Sequence, residues 1–96
     1  MTAIRIQAKP QRSSDITFQS MPPETILLNL ENGYYYSTNS LGSAVWQKCD
    51  GNTSIEDLIS DLQPQYEISL EVLRHDVMEF IEEMVAENLL KVDTDA

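Results

Sequence analysis

Residues 30–39, LENGYYYSTN, decide the fold that this sequence predicts, because an Asn-Gly pair stands between an apolar run and three consecutive tyrosines. Asn-Gly between two such runs is the strongest short-range sign of a β-hairpin, since a type I′ turn needs positive φ at both central residues. We therefore predict that Asn32 and Gly33 join two antiparallel strands, and that the tyrosines open the second strand.

A two-residue loop sets the register of this hairpin and places Leu30 opposite Tyr35. Because side chains alternate between the two faces of a strand, Tyr35 is expected to point into the core, and Tyr34 and Tyr36 away from it. The predicted core side of the hairpin consists of Ile26, Leu28, Leu30 and Tyr35. A longer loop would alter the register and, with it, this assignment.

One strand is predicted before the hairpin and three helices after it. Residues 16–20 alternate apolar and polar side chains, which indicates a short strand. The first helix is expected to begin after Thr38 or Asn39, the second after Thr53 and the third after Ser69, because these residue types cap helix N-termini. Three strands followed by three helices predict an α+β fold with a three-stranded antiparallel sheet, like a winged helix-turn-helix in its order.

Apolar residues at helical spacing give the predicted helices their buried faces. The first helix is expected to bury Trp46 and Cys49, and the third continues to about Asn88 with a broad apolar face. The residues of that face are Leu70, Leu73, Val77, Phe80, Ile81 and Met84. Residues 89–92 are expected to pack back as a strand or coil.

The 96 residues fit one small domain with two loose ends. Residues 1–14 are expected to form a flexible arm or a loosely attached edge, residues 15–92 the folded domain and residues 93–96 a frayed C-terminus. The first 12 residues carry three cations and no acid, whereas the remaining chain carries all 16 acidic residues and three cations. Such a surface repels phosphate and favours basic or neutral partners, unless it serves solubility alone.

The sequence contains no apolar run long enough for a membrane span or a secretory signal. Its single cysteine, Cys49, cannot form an internal disulfide, which agrees with a reducing compartment. We therefore expect a cytoplasmic protein.

Catalytic and metal-binding patterns are not found in this sequence. One histidine, His75, and one cysteine cannot build a zinc site, and the acidic residues lack the spacing of a calcium loop. Asp76 does not face His75 on a helix, because neighbouring residues point in different directions. The three glycines form no phosphate-binding loop. We expect no enzymatic activity, no cofactor and no metal from this chain alone.

Three kinds of binding remain open on the residues alone. An edge strand carries unpaired N–H and C=O groups that accept a peptide as an added strand, and the tyrosine strand is one such candidate beside the third helix. The second is a winged-helix nucleic-acid binder. The third helix would then enter a groove of the nucleic acid, but it is acidic and Arg74 is its one reliable cation. The other alternative is a structural subunit that docks a partner protein through the third helix.

Several pieces of the sequence occur in an order that resembles one family. They are the hairpin NGYYY, the segment NSLGSAVW, the segment DGNTSIEDLI, and DVMEFIEEM before NLL. Together they cover residues 26–90 and are similar to the PqqD-like family, the small recognition domains of pathways that modify ribosomally made peptides. Asn88 stands where the family commonly has a glycine, and it can still adopt a left-handed cap. By its NGYYY hairpin and stand-alone length, the chain looks most like the separate recognition proteins of lasso-peptide pathways. The arginine-rich strand frequent in quinone-cofactor pathways is absent, which argues against that pathway.

The resemblance implies that the chain binds the leader segment of a precursor peptide without catalysing a reaction. The leader is implied to add as a strand to the third strand, residues 34–37, and to lie beside the third helix, residues 69–88. A partner leader peptidase or modifying enzyme would then act on the attached core peptide. The implied leader-binding residues are Tyr34, Tyr35, Tyr36, Ser37, Arg74, Val77, Met78, Ile81 and Val85. Among them, the apolar helical side chains are expected to offer pockets, and Arg74 to pair with an acidic leader residue.

Overall fold

The three strands of the predicted sheet and the three helices follow one another along the chain as predicted, and a short strand that was not predicted, residues 11–12, precedes them. The computed structural model describes residues 4–92, so the predicted fraying of residues 93–96 and the first three residues of the predicted arm lie outside the described residues. The elements are β1 (Gln11–Arg12), β2 (Ile16–Met21), β3 (Glu24–Asn29), β4 (Tyr35–Ser37), α1 (Ser40–Gln47), α2 (Ile55–Leu62), α3 (Leu70–Ala86) and β5 (Leu90–Lys91). Strands β2, β3 and β4 form an antiparallel sheet in that order, and β1 pairs with β5 in a second, two-stranded sheet. The α+β fold with three antiparallel strands and three helices is confirmed.

The hairpin loop between β3 and β4 has four residues where two were predicted. The N–H of Asn29 donates to the carbonyl of Tyr34 over 3.0 Å, so residues 30–33 form the loop. The side-chain oxygen of Asn29 accepts the Glu31 N–H at 2.8 Å, a local bond that favours a wider turn. Gly33 has φ 76°, whereas Asn32 keeps a negative φ, which excludes the predicted type I′ turn.

The sheet buries the face opposite to the predicted one. Leu28 pairs with Tyr35, and Leu27 pairs with Tyr36. Leu27 is fully buried, whereas 73% of Tyr35 is exposed. The prediction that Tyr35 points into the core is therefore wrong. The helices cover the Leu27 face, where the hydroxyls of Thr25 on β3 and Ser43 on α1 share a hydrogen bond.

Residues 4–14 pack on the domain instead of forming the predicted flexible arm. The Ala8 carbonyl accepts the N–H of Ile55 over 2.9 Å, at the start of α2, where helical N–H groups have no partner within the helix. The Arg12 guanidinium donates to the Trp46 carbonyl over 2.9 Å, near the C-terminus of α1, where a cation is favourable. The folded part therefore begins before the predicted boundary.

Two of the three helix starts agree with the prediction. Asn39 and Ser69 are the N-caps of α1 and α3, each accepting a backbone N–H with its side-chain oxygen. The N-cap of α2 is Ser54, one residue after the predicted Thr53. The N–H of Thr53 donates to the Asp50 carboxylate over 3.1 Å, which ties Thr53 to the turn before the helix.

The core lies between the inner face of the sheet and the three helices. Trp46 and Cys49 are fully buried, as predicted. The buried residues of α3 are Leu73, Val77, Ile81 and Met84. Leu70 and Phe80 differ from the prediction, because 41% of Leu70 is exposed and Phe80 is half-buried at the margin of the helix. After α3, Asn88 has φ 61°, the left-handed conformation that the resemblance implied.

Candidate functional site

Strand β4 forms one edge of the sheet, and two of its residues direct their backbone groups away from the sheet. Both ends of the β3–β4 ladder are bonded to β3, through the carbonyl of Tyr34 and the N–H of Thr38, each over 3.0 Å. Bonded and non-bonded pairs alternate along an antiparallel ladder, so Tyr36 is the bonded residue between these ends. The N–H and C=O groups of Tyr35 and Ser37 therefore face the free edge, where an added strand can bond to them.

A cleft of about 400 Å³ lies between β4 and the C-terminal half of α3. Its lining residues are Tyr36, Ser37, Glu83, Met84, Ala86 and Glu87. The Tyr36 hydroxyl donates to the Glu87 carboxylate over 3.1 Å across this cleft. Desolvation of the phenol raises the pKa of Tyr36, and the neighbouring Glu87 carboxylate raises it further.

A second cavity of about 330 Å³ continues the cleft along α3 toward α1. Its lining residues are Asn39, Leu41, Gly42, Asp76, Glu79, Phe80 and Glu83. Glu83 lines both cavities, so the two adjoin at this side chain beside the helix. At Gly42 a Cβ atom would lie 2.8 Å from the Phe80 ring, so the glycine permits the close approach of α1 to α3. We call these two adjoining cavities, with the free edge of β4, the β4–α3 groove.

One flank of α3 gives the β4–α3 groove an acidic wall. The wall consists of Asp76, Glu79, Glu83 and Glu87, whose spacing of three or four residues keeps them on one side of the helix. Within residues 4–92, no lysine or arginine lies within 4.0 Å of these carboxylates, and His75 is 3.9 Å from Glu79. The groove therefore combines unpaired backbone groups, a partly apolar floor and carboxylates without a basic partner from Lys or Arg.

The predicted strand residues lie at this groove. Tyr36 and Ser37 line it, and Tyr35 contributes backbone groups to its edge. Tyr34 is exposed just before β4.

The predicted helical residues do not line the groove. Val77 and Ile81 are fully buried in the core, which corrects the expectation that they offer pockets to a ligand. Arg74 is exposed, and Met78 and Val85 are half-buried. A rotation of 100° per residue places these three on the other flank of the buried stripe from the acidic wall.

The sequence did not reveal the acidic wall, because carboxylates three or four residues apart on a helix also occur on an ordinary solvated face. The signal that could have identified it is the combination of two patterns. Gly42 in the apolar stripe of α1 indicates a close helix contact, and Phe80 on α3 is the aromatic partner of that contact. The acidic residues on the Phe80 side of α3 are then those nearest the strand.

Comparisons with known proteins point to one family and one fold. The sequence model described as Coenzyme PQQ synthesis protein D (PqqD) matches residues 24–90, a range that includes β4 and α3. A solved structure described as "TbiB1 in Complex with the TbiA(beta) Leader Peptide" is similar with a TM-score of 0.80 and 20% identity, over 88% of this chain and 99% of that one. Another, described as "Lasso peptide synthetase B1 complexed with the leader peptide", has a TM-score of 0.77 and 16% identity, over 86% and 98%. No curated protein matches the sequence.

Within the described part of the chain, no helix has the length and apolar character that crossing a membrane requires.

Proposed function

Because this chain belongs to the PqqD family, we propose that it binds the leader segment of a ribosomally made precursor peptide by adding it as a strand to β4. The observation that carries the proposal is the free edge at Tyr35 and Ser37, whose outward backbone groups border a groove beside α3. The two similar solved structures are described as complexes with leader peptides, which supports this class of ligand.

In the proposed complex, the leader backbone bonds to Tyr35 and Ser37, and its side chains alternate between the two faces of the extended sheet. Every second leader side chain enters the groove, where Tyr36 and Met84 provide apolar contacts. Because ordering a flexible leader costs free energy, a few such anchors determine the affinity. A leader that continues around the other flank of α3 would contact Arg74, Met78 and Val85. Tyr34 would contact the end of the leader.

The proposed role is non-enzymatic: the chain presents the precursor to a partner leader peptidase or modifying enzyme, in a pathway of the lasso-peptide type. We place this role in the cytoplasm, where the buried free thiol of Cys49 would stay reduced. In this proposal, the arrangement of sheet and helices is winged-helix-like. Nucleic acid is the poorer ligand, because α3 presents carboxylates and Arg12 is engaged by the Trp46 carbonyl.

The proposal is tested by calorimetric titration of the full chain with synthetic leader segments from short reading frames beside its gene. We expect saturable binding of one leader segment and none of the core segment from the same frame, which serves as the matched control. Methylation of alternate leader amides should weaken binding where the N–H bonds β4. The proposal fails if the folded protein binds none of these leaders, and sequence-dependent binding of duplex DNA at low salt would favour the nucleic-acid alternative.

A further inference from the structure

The β4–α3 groove is shaped for a peptide of one charge class. Resting on the proposed function, we infer that the leader carries basic side chains at alternate positions, which pair with Glu79, Glu83 and Glu87 on the wall of the groove. The backbone edge of β4 would then select an extended chain, and the wall of α3 would select its charge.

The spacing of the carboxylates fits an added strand. Successive glutamates of the wall are four residues apart, a rise of about 6 Å along the helix axis. Side chains on one face of a strand repeat about every 6.7 Å. Tyr36 lies by Glu87, whereas Asn39 and Gly42 lie by Glu79 and Phe80, so the chain leaving β4 runs along α3 in the opposite direction. Because the two repeat distances are similar, successive leader side chains that point into the groove would lie beside successive carboxylates.

The carboxylates of the groove lack a lysine or arginine partner within the described part of the chain. Glu83 lies four residues from both Glu79 and Glu87, and like charges at this spacing repel each other. No lysine or arginine in the described part of the chain offsets them within 4.0 Å. A basic ligand relieves this repulsion. A strand that covers the groove also excludes water, which strengthens the attraction between opposite charges.

The floor of the groove suits the long stems of basic side chains. Met84 and the Tyr36 ring lie beside Glu83 and Glu87 in the same cleft. Lysine and arginine can pack their methylene groups against such apolar surface while their charged ends reach carboxylates. An acidic leader side chain at the same position would lose the ion pair and meet like charge.

The test uses a random 12-residue peptide library displayed on phage and selected on the immobilised full chain. We expect the selected peptides to be enriched in Lys and Arg at every second position, and a synthetic copy to bind less tightly when these residues are replaced by Gln. Each exposed ion pair contributes up to about fivefold in affinity, and its contribution falls as salt is raised.

Paired charge variants separate recognition in the groove from the general charge of the protein. Glu79→Gln with Glu83→Gln removes two carboxylates of the wall. Glu56→Gln with Glu67→Gln removes two exposed carboxylates outside α3 and changes the net charge equally. We expect the first pair to weaken binding of the synthetic peptide roughly threefold to tenfold and the second pair to change it by less than about twofold.

The outcomes distinguish the inference from the function on which it rests. If the selected peptides bind β4 but lack basic residues, or bind the wall variant as tightly as the unmodified chain, the charge inference is overturned and leader binding stands. If no selected peptide loses affinity in the Tyr35→Pro variant, strand addition itself is wrong, and the inference falls with it.

Discussion

The Tyr36 phenol and the Glu87 carboxylate lie on opposite sides of the cleft between β4 and α3, and the hydroxyl donates to the carboxylate over 3.1 Å. This bond joins the edge strand to the last turns of α3. It also keeps the phenol protonated to higher pH, since ionisation would place two negative charges together. A ligand that enters the cleft at this end meets both side chains.

Glu87→Gln should lower the raised pKa of Tyr36 part of the way toward its ordinary value of 10.0. Desolvation, the largest cause of the raised pKa, remains in the variant, whereas the repulsion by the carboxylate is removed. The measurement is a titration of the phenols by ultraviolet absorbance. Tyr36→Phe is the control, because it removes the signal of this phenol. Identical titration curves for Glu87→Gln and the unmodified protein would show that the bond is not maintained in solution.

Tyr35→Pro should reduce leader affinity by roughly tenfold or more, because the substitution deletes an outward donor of β4 and leaves a leader carbonyl without its partner. The sheet should survive, since the Tyr35 N–H does not bond to β3 and proline is tolerated at such edge positions. Tyr35→Ala is the matched control, because it also removes the ring but keeps the N–H. Calorimetric titration with a bound leader peptide measures the effect. Equal affinities of the two variants would contradict strand addition at this edge.

Cross-linking should locate the leader on α3. A photoreactive p-benzoylphenylalanine at position 83, on the acidic wall, is expected to attach to a bound leader peptide on irradiation. The same residue at position 78, on the other flank of α3, should attach less efficiently, because only the part of the leader that continues beyond the groove is proposed to pass there. Mass spectrometry of the adducts checks both positions. Efficient attachment from position 78 alone would favour the groove that the sequence predicted.

The helix starts and the edge strand could be predicted because their signals are local. Asn39 and Ser69 cap α1 and α3 by side-chain bonds to N–H groups three residues away, so a short window contains the whole interaction. The hairpin register could not be predicted from the Asn-Gly pair alone, since the Asn29 side chain widens the loop. The buried face depends on Leu27 packing beneath α1, which is a contact between distant parts of the chain.

Only part of the β4–α3 groove could be predicted from the sequence, and the reason is again a contact between distant parts of the chain. Helical periodicity shows which residues of α3 share a flank, but it does not show which flank faces β4. That choice follows from the close approach of α1 at Gly42, which holds Phe80 against α1 and leaves Glu83 beside the strand. The packing of residues 4–14 could not be predicted, because Ala8 bonds to α2 through its backbone carbonyl. Every residue type has such a carbonyl, so the sequence does not show this contact.

Gly42→Ala should destabilise the protein by about 1–3 kcal/mol, although the same change in an open helix would stabilise it by roughly 1 kcal/mol. The added Cβ would lie 2.8 Å from the Phe80 ring and 3.1 Å from the Cβ of Thr38. Unfolding in urea gives the change in free energy.

Phe80→Leu tests the cause of that loss. Combined with Gly42→Ala, it should recover part of the stability, so that the two changes cost less together than their separate effects predict. If Gly42→Ala stabilises the protein instead, the Phe80 ring moves into the neighbouring cavity without cost, and the close contact does not limit the approach of α1 to α3.

Cys49 should make the protein less stable in alkaline solution. Burial raises the pKa of this thiol from 9.0 to about 12, with Arg12 acting in the opposite direction and Asp50 in the same one. Above pH 9 the unfolded chain therefore loses the thiol proton while the folded chain keeps it. The contribution of the thiol to stability is complete below pH 9 and is lost as the pH rises toward 12, by up to about 1.4 kcal/mol per pH unit.

Cys49→Ala separates this effect from the titration of other groups. The variant should be less stable near neutral pH, because it removes a fully buried side chain whose thiol donates to the Val45 carbonyl over 3.2 Å. Its stability should then fall less steeply above pH 9, so the difference in unfolding free energy between the two proteins narrows as the pH rises. Urea unfolding under reducing conditions at a series of pH values measures that difference. A constant difference would mean that the Cys49 thiol ionises as readily in the folded chain as in the unfolded one.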